Sequence, residues 1–150
     1  MVKVERIHTD NAKDILRNAD IKITPNRVLV LQEILERNCA FTLNDMENII
    51  LSLDKSTLCR TLNLFLDCGI LHEVDNGKGH KMYCRCACSA KSKVSQIHFT
   101  CLLCSKTFCI RNLIKEDLDT PTFSYPEDFE ITEVNFLLKG LCPECKNKAR

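Results

Sequence analysis

Four cysteines in two Cys-x-x-Cys pairs, Cys101 with Cys104 and Cys142 with Cys145, are the residues of this chain best suited to chemistry. One backbone turn can deliver two such thiolates to one ion, and two turns complete a tetrahedron of Zn–S bonds about 2.3 Å long. A shell of four protein sulfurs leaves no position for a substrate, so the metal it would hold is structural. The 37 residues between the pairs exceed the usual zinc-ribbon spacing, so a small subdomain must fold between the knuckles and be clamped at both ends. Two disulfides would use the same residues. However, the chain opens on the charged run from Met1 to Arg6, with no apolar signal core, and no apolar run is long enough to span a membrane. A cytoplasmic location is expected, where thiols stay reduced and metal is favoured over disulfides. A redox Cys-x-x-Cys would instead be single and set in a βαβ unit.

The elements that position these sulfurs come from 150 residues, enough for one ordinary domain or two small ones. Eight of the 11 cysteines lie at or after Cys84, and this shift marks the boundary between residues 1–84 and residues 85–150. The formal net charge is +1, and up to Lys81 there are 11 basic and 12 acidic residues, a net of −1. That counts against a strongly basic nucleic-acid binder. DNA contact would depend on local placement of charge.

Helical signals fill the first half. Asp10 can cap a segment with Ala12, Ile15, Leu16 and Ala19 on one face, and Thr24 followed by Pro25 opens another through Val28, Leu31, Ile34 and Leu35. Thr42 and Asp45 have capping-box spacing ahead of Ile49, Ile50 and Leu53. Asp54 caps a helix from Lys55 to Cys68, which Gly69 ends. Its apolar stripe is Leu58, Leu62, Phe65 and Leu66, and Ser56, Arg60, Asn63 and Asp67 fall on the opposite face. Two β-prone runs, Ile70 to Val74 and His80 to Cys84, flank a turn with Asn76 and Gly77 and predict a hairpin. Three helices and a hairpin make a winged helix. Its last helix would enter the major groove, where Arg60 and Asn63 can pair with guanine and adenine edges and Lys55, Ser56 and Thr57 with phosphates or sugars. An ordinary helical domain with a solvated polar face has the same pattern.

The run from Ala19 to Leu31, the run from Thr57 to Asn63, Tyr83, both Cys-x-x-Cys pairs and the stretch Lys139 to Cys142 occur in the order seen in one family. In them the chain resembles the ferric uptake regulator family over nearly its whole length, with Cys59 where a tyrosine is usual. The resemblance implies an α+β protein: a winged-helix DNA-binding domain and a small C-terminal α/β dimerisation domain with a four-cysteine zinc site. It implies a homodimeric repressor that reads a palindromic operator in double-stranded DNA, and a second, regulatory metal site that switches DNA affinity.

At the regulatory site this chain departs from the pattern. The family's His-rich run before the first Cys-x-x-Cys is reduced to His98; its other histidines fall near Ala40 and Val134. Two carboxylate positions align with Cys84 and Cys109. Cys86 and Cys88 follow Cys84 at alternating spacing, so on a strand the three would share a face. Three readings compete. One is a sensor rebuilt from Cys84, His98 and Cys109, with Cys86 or Cys88 adding a ligand, for an ion softer than iron(II) or manganese(II). Such an ion would tie the wing to the C-terminal domain. Another is a thiol redox switch, since Met82 to Lys115 holds six basic residues and no acidic ones. The third is apolar packing by buried thiols. Cys39, Cys59 and Cys68 read as incidental, and His8 and His72 as surface residues without a partner.

In the second half, Ile97 to Cys101 and Thr107 to Arg111 read as strands around the first knuckle, Leu113 to Leu118 as a short helix, and Phe129 to Phe136 as a half-buried strand. An antiparallel sheet with one helix is a small core. Zinc, at an apparent 10–16 kcal/mol or roughly that, and a dimer interface would make up the deficit. Another function class is a rubredoxin-like electron-transfer protein without DNA binding, though Ser105 and Lys146 stand where that family has glycine. A zinc hydrolase or deaminase would need an open coordination position and His-x-Glu, which the chain lacks, so no enzyme is expected.

Overall fold

Capping chemistry sets the helices of the first of two compact units, Met1–Ala87; the second is Cys88–Arg150. Across them the computed structural model describes residues 11–85, 96–110, 126–130 and 135–148. Residues 11–18 are helical and are denoted α1. This helix closes where Asp20 takes φ 57°, with Ile21 N–H on the Leu16 carbonyl and Asp20 N–H on that of Arg17. That is a Schellman closure with Asp in the left-handed position. α2 runs Pro25–Leu35, with Thr24 accepting from the Arg27 N–H and proline in the first turn. α3 runs Leu43–Ile49 behind a complete capping box: Thr42 Oγ1 accepts from Asp45 N–H, and Asp45 Oδ2 accepts from Thr42 N–H at 2.7 Å.

α4 runs Lys55–Asp67. Asp54 accepts the Thr57 N–H at 2.9 Å and its hydroxyl at 2.6 Å, and these bonds hold the Asp54 carboxyl below the usual carboxylate range. The helix closes on Gly69, φ 73°, with Ile70 N–H reaching the Phe65 carbonyl and Gly69 N–H that of Leu66. Leu58, Leu62 and Phe65 are fully buried and join Leu16, Leu31, Ile34, Phe41 and Met46 in one core. β1, His72–Val74, pairs antiparallel with β2, Met82–Cys84, across a loop in which Asp75 and Asn76 side chains accept the N–H groups of Gly77 and Lys78. The wing is tied to the helices by Phe41 and Tyr83, which exchange both backbone hydrogen bonds and stack their rings 5.8 Å apart. Each strand is shorter than the β-prone run that predicts it.

The second unit is a three-stranded sheet of order β4-β3-β5: β3 is Gln96–Cys101, β4 Thr107–Ile110 and β5 Asn135–Gly140. β3 pairs antiparallel with β4 but parallel with β5, so the sheet is mixed and not the antiparallel one expected. Two strands joined by a knuckle must run oppositely; β5 returns after a long connection, which is free to deliver it parallel. The expected strand from Phe129 is also displaced. Phe129 and Glu130 are outside any strand, and β5 continues through Leu137 and Leu138 to Gly140, where a side chain would crowd the Phe99 ring. α5, Pro143–Lys148, carries the second knuckle. The Asp10 cap, His8, Cys86, Cys88 and the expected helix Leu113 to Leu118 lie outside the described residues.

Candidate metal centres and nucleic-acid face

The sulfurs of Cys101, Cys104, Cys142 and Cys145 lie within 4.8 Å of one another. Cys101 ends β3 and Cys104 closes the turn into β4; Cys142 and Cys145 flank and enter the first turn of α5. β3 and β5 bring the pairs together, because their register sets Cys101 opposite Gly140, two residues before Cys142. The turn after Cys101 demands a left-handed residue at Ser105, φ 60°, whose N–H bonds the Cys101 carbonyl. Ser105 and Lys146 thus stand where glycine is usual in iron knuckles, and the serine adopts the glycine conformation. Cys142 N–H points at Cys101 Sγ, 3.4 Å away, and Cys104 Sγ lies 3.9 Å from Cys142 Sγ.

A zinc ion fits this set. Arms of about 2.3 Å give a tetrahedron with edges of about 3.8 Å, close to the sulfur spacing seen. The electrostatics agree. Backbone N–H groups, first that of Cys104 and then that of Cys142, lower the Cys101 thiol to about 6. The Cys145 thiol is pushed up to about 12, first by its hydrogen bond with Cys142 and then by burial. One sulfur in the cluster ionises readily while its neighbour is held protonated by hydrogen bonding and burial, and a bound cation would favour the thiolate of both. Among the described residues no cysteine is joined in a disulfide.

Histidine–cysteine pairs occur in both units. His98 is buried in the middle of β3, opposite Cys109 on β4. Directly opposed residues of antiparallel strands share a face, so imidazole and thiol are neighbours. In the wing, His72 stands opposite Cys84, with a ring nitrogen and Sγ inside 4.8 Å. The expectation that His72 lacks a partner is therefore wrong. The register shows why: in a hairpin, residues equidistant from the turn are paired, and 72 and 84 are equidistant from residue 78. Counting outward from the centre of the two β-prone runs, residue 77, would instead set His72 opposite Met82, so the pair needed the observed register. Cys84 is buried and Cys109 half-buried, a setting compatible with ligation and with simple packing alike.

α4 presents Lys55, Ser56, Arg60, Asn63 and Asp67 to solvent, as the helical spacing predicts. Thr57 is half-buried and its hydroxyl is engaged by Asp54, so it is first a capping residue. Arg60 reaches it weakly, Nη2 to Oγ1 at 3.4 Å, and the Asn63 amide lies 3.7 Å from Cys59 Sγ. The exposed face is therefore loosely held and available for pairing. Among the described residues no helix is long and apolar enough to cross a membrane.

These features have counterparts. The ferric uptake regulation protein of Synechococcus elongatus is 28% identical over 131 residues, spanning 83% of this chain and 86% of that protein. A solved zinc uptake regulator complexed with zinc and DNA covers 94% of both chains at 19% identity, with a TM-score of 0.64. The ferric uptake regulator of Pseudomonas aeruginosa with manganese covers 88% of this chain and 98% of its own, at 18% identity and a TM-score of 0.56. Residues 18–137 match the model of the ferric uptake regulator family, most of the chain, and the protein belongs to that family.

Proposed function

We propose that the chain is a metal-responsive, DNA-binding repressor, acting as a cytoplasmic homodimer on a palindromic operator and without enzymatic activity. The observation that carries this is α4: a helix capped at both ends, anchored by Leu58, Leu62 and Phe65, with Arg60 and Asn63 exposed on the opposite face. Residues 1–84 form the reading domain in this proposal, and residues 85–150 the dimerisation domain. Arg60 and Asn63 contact base edges, and Lys55, Ser56 and Thr57 the backbone. Zinc held by Cys101, Cys104, Cys142 and Cys145 would supply the cross-link that a three-stranded sheet needs to stay folded. A rubredoxin-like role is set aside, because the family is one of regulators.

The effector donors are proposed to be drawn from His72 and Cys84 in the wing and from His98 and Cys109 in the sheet, with Cys86 or Cys88 adding a thiolate. Imidazole and thiolate favour zinc or copper(I) over iron(II) or manganese(II). The ion switches DNA affinity only in so far as it binds the DNA-competent state more tightly than the other. The test is a titration of operator binding by the purified protein with zinc, copper(I), iron(II), manganese(II) and peroxide in turn. A soft metal should change affinity where iron(II) and manganese(II) do not; a response to peroxide alone would favour the thiol switch.

A further inference from the structure

The wing and the start of α4 face one open cavity of about 360 Å³, lined in part by Asn44, Glu47, Lys55, His80 and Lys81. Lys55 is the first residue of α4, and His80 and Lys81 lead into β2. Each lysine is held by a carboxylate: Lys55 Nζ lies 3.5 Å from Glu47 Oε2, and Lys81 Nζ lies 3.5 Å from Glu73 Oε2. Both distances are long for a charge-assisted hydrogen bond and both lysines are exposed, so the pairs are weak and exchangeable. The Lys81 ammonium also sits 5.5 Å from the centre of the Tyr83 ring, which keeps it at the base of the wing. Two ammonium groups and an imidazole around a small hollow suit a compact anion with several acceptor oxygens.

We infer that this cavity receives one backbone phosphate of the DNA, and that Glu47 and Glu73 are the stand-ins it displaces from Lys55 and Lys81. The inference rests on the DNA-binding reading and adds to it the wing side of the contact. It also accounts for the charge balance. A segment with 11 basic and 12 acidic residues up to Lys81 gives duplex DNA little general attraction. Lysines already neutralised by nearby acids keep that attraction low until base contacts bring a phosphate into place. Glu47, which lines the cavity, therefore sets non-specific affinity.

The experiment uses the full chain at a fixed concentration of whichever metal supports binding. Phosphates along the half-site are replaced one at a time by neutral methylphosphonate. The wild type should lose about threefold or more at one position per half-site, and Lys81→Gln should lose clearly less there, with its log–log salt slope reduced by about 0.9 per half-site. Glu47→Gln should move the other way, tightening operator and unrelated duplex alike by about two- to fivefold. The inference is overturned if the wild type binds its operator while Lys81→Gln keeps the parent's full sensitivity at every phosphate, or if Glu47→Gln weakens binding. Inorganic phosphate that competes for the cavity with no methylphosphonate position affected would assign it to a free anion and overturn it too. A wild type that binds no duplex at all fails the DNA reading itself, and the inference with it.

Discussion

Replacing Arg60 by alanine separates what α4 does for the fold from what it does for DNA. The side chain is exposed, and its contact within the chain is a 3.4 Å approach to Thr57 Oγ1, well beyond the usual N–H···O distance. Removing it should change unfolding free energy by less than about 0.5 kcal/mol, the range of surface substitutions away from special features. On DNA the loss is larger. A bidentate arginine–guanine pair contributes about 1–3 kcal/mol of discrimination, and a dimer on two half-sites would lose about twice that. Fluorescence anisotropy with the operator, with an operator changed at one base pair per half-site and with an unrelated duplex measures the effect. Arg60→Ala should weaken operator binding, leave the unrelated duplex almost unchanged and lose discrimination at one base pair per half-site. Unchanged operator affinity would refute the assignment of α4 as the reading helix. An equal loss on all three duplexes, with a lower salt slope, would show that Arg60 touches phosphate and that the helix sits in a different register.

The opposite face of the same helix should behave the other way: Leu62→Ala, at a fully buried position, should cost about 2–5 kcal/mol of stability by chemical denaturation. Cys142→Ser should lose the bound zinc and the dimer together, read by metal analysis and light scattering; a variant that stays zinc-loaded and dimeric would remove the four-sulfur assignment. Cys84→Ser, His98→Ala and His72→Ala should each abolish the metal response in operator binding while the structural zinc remains; parental responses in all three would leave these thiols as packing. Asp54 has a lowered carboxyl, so its support of α4 should be full above the ordinary value of 3.8 and fade as pH falls through its lowered value. Circular dichroism against pH should show Asp54→Asn lacking that part of the acid transition.

Local chemistry made the N-terminal unit legible. Thr24, Thr42, Asp54 and Gly69 each solve a problem confined to a few neighbours, an orphan N–H or a left-handed closure, and their side chains are written in the same few residues. Hence α2, α3 and α4 begin where these residues place them. The sheet of the second unit is different. Whether β5 joins β3 parallel or antiparallel depends on the path of a connection more than twenty residues long, roughly, and no residue in β5 encodes a direction. Alternation from Phe129 to Phe136 was a period-2 pattern without its partner. The register that counts, Phe99 with Leu138 and Cys101 with Gly140, belongs to two strands at once.

The candidate site divides along the same line. Cys-x-x-Cys is a local device, so each knuckle could be read from four residues, and only their meeting needed the β3–β5 pairing. A histidine paired across strands has no such signature. His72 is twelve positions from Cys84, and the sequence around it shows only a polar residue in a β-prone run. What makes the pair is the turn at Asp75 to Lys78, whose Asx hydrogen bonds fix the centre of the hairpin and therefore every partner along it. A one-residue shift of that centre would move His72 off Cys84, because in a hairpin the turn sets the register. The loop is thus a determinant of the proposed effector site although it supplies no donor to it. Inserting one residue between Gly77 and Lys78 should leave the four-cysteine zinc intact and weaken the metal response of operator binding as His72→Ala does. An insertion variant that responds like the parent would separate the His72–Cys84 pairing from sensing.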